Sequence, residues 1–101
     1  MDGGLDAEGL LERRVLFRDI VLGSVVDVIL DTSLRRVLGL DVLRGDRVRR
    51  FLPFGACEVR DRVIGVDSAL VLSDELEFYR SRGQVLTVLR RRGVPLRSLE
   101  V

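Results

Sequence analysis

Residues 22–52, LGSVVDVILDTSLRRVLGLDVLRGDRVRRFL, constrain the fold more than any other part of the chain. Three apolar runs, VVDVIL, VLGLDV and VRRFL, are separated by DTSLRR and LRGD. Branched aliphatic residues fill the runs, and Asp, Ser and Gly punctuate them, which is the pattern of strands joined by turns. A small β meander follows, with the rest of the chain closing it or annexed to it.

Taken in order, residues 14–18 alternate so that Val15 and Phe17 share one face. Residues 21–30 are apolar on both parities, so this strand is either covered on both faces or bulged, and Gly23 is a natural place for a bulge. Asp31-Thr32-Ser33 is turn chemistry. Residues 36–42 alternate most clearly, with Leu38, Leu40 and Val42 on one face and Val37, Gly39 and Asp41 on the other. The predicted core is therefore Leu38, Leu40, Val42, Val28 and Val48. Arg44-Gly45-Asp46 makes the next turn, and Pro53 ends a strand over 47–52 because proline cannot donate to a ladder. One or two short strands follow between Glu58 and Leu72.

Two helices are expected after residue 72. Ser73 is the predicted N-cap of the first, with Asp74 and Glu75 at the positive end of its dipole and Gly83 as its C-cap. Val85, Leu86, Val88 and Leu89 are spaced as one face of a second helix over 84–92. Arg90, Arg91 and Arg92 close it, and Gly93 and Pro95 stop it.

A length of 101 residues suits one domain. The 47% apolar share supplies a modest core, and a net charge of +1 exerts no global pull on nucleic acid or anionic lipid. The acidic start, MDGGLDAEGL, is the wrong order for a signal peptide, and no apolar run approaches the length of a membrane span. The expected location is cytoplasmic. Cys57 is the single cysteine, and its expected role is a small buried hydrophobe.

The absence of His and Lys, with one Cys, removes the usual zinc sites, His-assisted nucleophiles and the phosphate-binding P-loop. Neither a catalytic nor a metal-binding nor a cofactor-binding residue is expected. Asp27, Asp31, Asp41 and Asp46 read as turn and strand-end charges. All 17 basic residues are Arg. They cluster at Arg35–Arg36, at Arg47, Arg49 and Arg50, and at residues 90–92, which is the chemistry of phosphate contact. Interleaved acids and few aromatics weigh against RNA reading.

The run GSVVDVILDTSLRRVLGLDV, followed by RVRRFLPF and VIGVDSALVL, resembles the PRC-barrel superfamily. That group includes the cytoplasmic domain of the photosynthetic reaction-centre H subunit and the C-terminal domain of a ribosome maturation factor. Gly23, Asp27, Asp31, Val37, Gly39, Leu52, Pro53 and Phe54 fall at the places that carry the likeness, which spans residues 15–72. The tail FYRSRGQVLTVLRRRGVPL resembles the linker between successive barrels in high-GC bacterial proteins.

The resemblance implies a mainly β fold, a small, highly bent barrel over 10–72. Independently of the resemblance, the Gly- and acid-rich composition of 1–9 predicts a disordered N-terminus, and the helix signals noted above predict a helical annex over 73–101. The resemblance also implies a non-catalytic docking module that pairs with itself as a homodimer or with another protein. The expected partner surface is Val85, Leu86, Val88, Leu89, Arg90, Arg91 and Arg92, packed against a second copy; alternatively, the apolar stripe folds back to cap an open end of its own barrel. The alternative is an RNA- or ribosome-associated factor that uses the Arg clusters.

Overall fold

A computed structural model describes residues 7–94. The fold is mainly β, a sheet curled into a half barrel with two short C-terminal helices. Strands β1 (Arg14–Phe17), β2 (Ile20–Leu30), β3 (Val37–Arg44) and β4 (Arg49–Pro53) form an antiparallel meander, followed by β5 (Glu58–Val59) and β6 (Val63–Val66). Helix α1 (Leu76–Arg82), strand β7 (Gln84–Val85) and helix α2 (Leu86–Arg91) make the annex. The sheet order is β4-β3-β2-β1-β6-β5; β6 returns parallel to β1, and β7 joins the far end of β2.

The turns form as their chemistry dictates. The Asp31 carboxylate accepts hydrogen bonds from the Ser33 hydroxyl and the amides of Arg35 and Arg36. Desolvation pushes this carboxyl up, but those bonds outweigh it and hold the group below the usual carboxylate range. Asp46 takes the Val48 amide across the β3–β4 turn.

Two β-bulges decide which side chains are inside. Between β2 and β3 the register passes from Val25↔Val42 to Asp27↔Asp41, so Val26 is an extra residue on β2. Further along it passes from Ile29↔Gly39 to Leu30↔Val37, so Leu38 is extra on β3. Each bulge reverses the parity of the alternation. Val25, Val28 and Leu30 therefore share the main core with Val37, Leu40 and Val42, joined by Val15, Leu52 and Ile64.

The predicted core needs correcting at two positions. Leu38 is turned by its bulge to the opposite face, where it packs, as Tyr79 does, against the cluster of Ile29, Phe51 and Leu76. Val48 lies before β4 in the turn and is exposed. Leu40, Val42 and Val28 are buried together as expected.

On that opposite face the Phe51 ring packs closely against Gly39. A Cβ at residue 39 would stand 2.3 Å from Phe51 Cζ and 2.6 Å from the Leu52 carbonyl oxygen. Tyr79 of α1 stacks on the Phe51 ring, centroids 4.0 Å apart and planes 5° from parallel. The glycine thus seats the ring that docks α1. Gly39→Ala should cost about 1–3 kcal/mol by overpacking and should weaken the near-UV circular dichroism of the Phe51–Tyr79 stack. An unchanged spectrum and urea midpoint would show that the ring can move aside freely.

The chain ends of the barrel also depart from expectation. Of the segment 1–9 expected to be disordered, residues 1–6 lie outside the described residues. Ala7–Leu10 form a 3-10 turn whose Ala7 and Leu10 are buried in the main core. Ser73 is not a helix cap: its backbone bridges to Phe51 at the outer edge of β4, and α1 begins three residues later behind Glu75. Residues 84 and 85, expected to be helical, instead pair with Leu30 and Ile29, beyond the point where β1 stops covering β2. Their backbone groups are satisfied by that ladder, so the helix starts at Leu86.

Gly93 (φ +72°) ends α2 in a left-handed cap: its amide bonds to the Arg90 carbonyl and the Val94 amide to the Leu89 carbonyl, both at 3.1 Å. Val94 then packs on the main core. The remainder of the expected annex, residues 95–101, lies outside the described residues.

Candidate functional site

The expected partner surface is divided by the fold. Leu86 and Leu89 are buried in the chain's own core, beneath the open side of the half barrel. Each such side chain contributes about 1.5–3 kcal/mol when removed from water. Val85 and Val88 are half-buried. Arg90 reaches Glu8 at 3.4 Å, and Thr87, Arg90 and Arg91 line an open groove of about 460 Å³. Arg92 caps the C-terminus of α2 and is exposed. The stripe thus serves the chain's own closure, and its arginines form the rim of the annex.

The second Arg cluster is also divided. Strand alternation places Arg49 beside Phe51 on one face and Arg50 beside Leu52 on the other. Arg47 sits in the preceding turn at φ +68°. Arg49 is committed to Asp41: its Nε donates to Asp41 Oδ1 at 3.1 Å and its Nη2 to Oδ2. These bonds push the Arg49 guanidinium further up from an already high value. Arg80 of α1 adds a contact to Asp41 Oδ2 at 3.5 Å.

Asp27 and Asp41 depart from the reading as strand-end charges. They face each other across β2 and β3, and both are buried. Asp27 Oδ1 accepts from the Val28 amide at 2.9 Å and the Thr87 amide at 3.1 Å, and Oδ2 accepts from the Thr87 hydroxyl at 2.7 Å. Val85, the residue at the cap position of α2, makes no side-chain cap bond of its own. Asp27 therefore supplies that cap from 60 residues away in sequence. The two neighbouring carboxylates pin the two helices to the sheet, Asp41 through Arg80 and Asp27 through Thr87. An Asp flanked by apolar residues on both sides, as in VVDVI and GLDVL, was the available sequence signal for a buried, partnered acid.

Cys57 is half-buried against the main core, its Sγ 3.5 Å from the Pro53 carbonyl oxygen. Burial pushes its thiol up to about 12. Because the thiolate is the nucleophile, alkylation near pH 8 should run at least about 100-fold slower than for a free thiol. Denaturant should restore the free-thiol rate; a fast native reaction would contradict the burial.

Among the described residues, the three large apolar groups with the highest fractional exposure lie at the end of the barrel remote from α2, while half-exposed Phe78 stands apart on α1. Ile20 and Val21, at the start of β2, are 58% and 55% exposed, and Leu70 is 92% exposed. Leu70 belongs to a 3-10 turn, Ala69–Val71, opened by Ser68, whose Oγ takes the Leu70 amide. Residues 69–72, expected to be apolar and strand-like, thereby present Leu70 outward. Val21, Leu22, Ala69 and Leu72 line a groove of about 300 Å³ at this end, closed on one side by Arg44, Gly45 and Asp46 of the β3–β4 turn. Three chain segments far apart in sequence meet here, which is why no local pattern marked the surface.

Among the described residues no group of three or more His, Cys, Asp or Glu could hold a metal ion, and no helix is long and apolar enough to cross a membrane. No protein-family model matches the chain, and no curated protein is significantly similar to it.

Proposed function

We propose that this chain is a non-catalytic, cytoplasmic docking module of the PRC-barrel type, working by protein–protein contact. The observation that supports this most is the apolar end formed by Ile20, Val21 and Leu70, held out on a sheet whose own core is closed elsewhere. A fully exposed Leu beside two half-exposed β-branched residues loses free energy in water and recovers it under a partner. Asp27 and Asp41 are engaged in internal bonds, so they serve the annex rather than a substrate.

A photo-crosslinking residue at position 70 should form protein adducts that the same residue at position 91 does not form. The absence of adducts at 70 would overturn the docking reading. RNA contact through the Arg clusters is the competing account. It demands an affinity for total RNA that collapses as salt rises, by about 10³-fold or more between 50 and 200 mM for six or more phosphates. The docking reading expects no such binding, and finding it would replace this proposal.

A further inference from the structure

We infer that the partner seated on the apolar end is a second copy of this chain, related by a two-fold axis through the groove beside Val21. This rests on the docking reading above and adds the identity of the partner.

The first support is the charge of the rim. Around the apolar groups stand Arg18 and Asp19 in the β1–β2 turn, Arg44, Asp46 and Arg47 in the β3–β4 turn, and Asp67 ahead of the 3-10 turn, all exposed. Three positive and three negative groups alternate along these turns. In a two-fold contact the same patch supplies both sides, so a rim of one sign would repel itself and a balanced one can match itself. A strongly acidic or basic partner finds no complementary field here.

The second support is size. Ile20, Val21 and Leu70, with the exposed Val48 nearby in the β3–β4 turn, present roughly half of the ~800 Å² that each side of a standard interface buries. Apolar atoms make up a little over half of such an interface. The patch therefore supplies about the apolar share one face requires, and the balanced rim supplies the polar remainder. A ridge flanked by grooves also suits self-docking. Val21 lies between the groove shared with Ala69 and Leu72 and a second one lined by Arg14, Gly23, Ser24, Leu43 and Arg44.

Sedimentation equilibrium on the full chain tests this, with Leu70→Asp and Ile20→Thr as variants. Both positions are exposed, so the far-UV circular dichroism should match wild type and a cooperative melt should survive, which certifies folding. The expected result is a wild-type dimer whose dissociation constant rises at least 10-fold in each variant. A wild-type monomer at about 1 mM, a concentration at which even weak association registers, would overturn the second-copy inference. So would a dimer indifferent to Leu70→Asp and Ile20→Thr. In either case, position-70 adducts carrying a different protein would leave the docking reading standing, so the two failures are distinguishable.

Discussion

Leu40→Asp should abolish folding. Leu40 is fully buried in the middle of β3, paired with Val28 on one side and Leu52 on the other, and all three belong to the main core. A carboxylate there meets no donor among its apolar neighbours. An unpaired buried charge costs several kcal/mol, and a domain of this size has a margin on the order of 5–10 kcal/mol in total. Circular dichroism of the variant should show no cooperative thermal transition. A wild-type melting curve would mean that residue 40 faces solvent and that the β2–β3 register is wrong. Leu38→Asp makes a useful contrast. Leu38 is partly buried on the other face, so its loss should loosen α1 without emptying the main core, and a cooperative transition should survive.

Arg49→Ala should cost about 3 kcal/mol, at the low end of what breaking a buried ion pair costs. The variant leaves Asp41, whose side chain is fully buried, with the longer Arg80 contact at 3.5 Å. That residual contact, and water admitted where a half-exposed Arg49 stood, keep the loss below the full cost of an isolated buried charge. Removing the charge as well, in Asp41→Asn combined with Arg49→Ala, should recover part of the loss. Urea titrations of the two singles and the double should give a coupling of about 1–2 kcal/mol. Strict additivity would show that Arg49 and Asp41 act independently. Because Asp41 also reaches α1 through Arg80, Asp41→Asn should raise amide exchange along residues 76–82 more than along β2. Equal protection in both would mean that Phe51 and Tyr79 hold the helix alone.

Much of the sheet was legible from local chemistry. The turn residues Asp31, Ser33 and Asp46 do what their side chains favour in any context, capping nearby amides, and the strands between them follow within one or two residues. Gly83 and Gly93 likewise mark the ends of the two helices. The segment around Ser73 departs from its local preference: its residue types suit a helix cap, but its backbone amide and carbonyl are taken by Phe51 at the sheet edge. A hydrogen-bond partner 22 residues away in sequence outranked the local preference. The stripe at 85–89 is apolar by sequence, but nothing in its spacing says whether the cover is the chain's own barrel or another molecule. That depends on β2 outrunning β1, which leaves an edge for Gln84 and Val85 to fill.

What the sequence determines by itself is the alternation of apolar and polar residues, the places where turns are cheap, and the absence of His and Lys chemistry. These follow from side-chain identity and nearest neighbours, and they suffice for a β meander with a helical tail. The tertiary structure alone decides which parity faces the core, because an extra residue at Val26 or Leu38 reverses every side chain beyond it, and such a bulge is defined against a partner strand. It alone brings Asp27 opposite Asp41 and beneath the first turn of α2, turning two acids that sequence places at strand ends into the pins of the annex. It alone gathers Ile20, Val21 and Leu70 at one end. Each of these results joins residues distant along the chain, and the energy that favours them exists only once the sheet has curled and water has been excluded from between its parts.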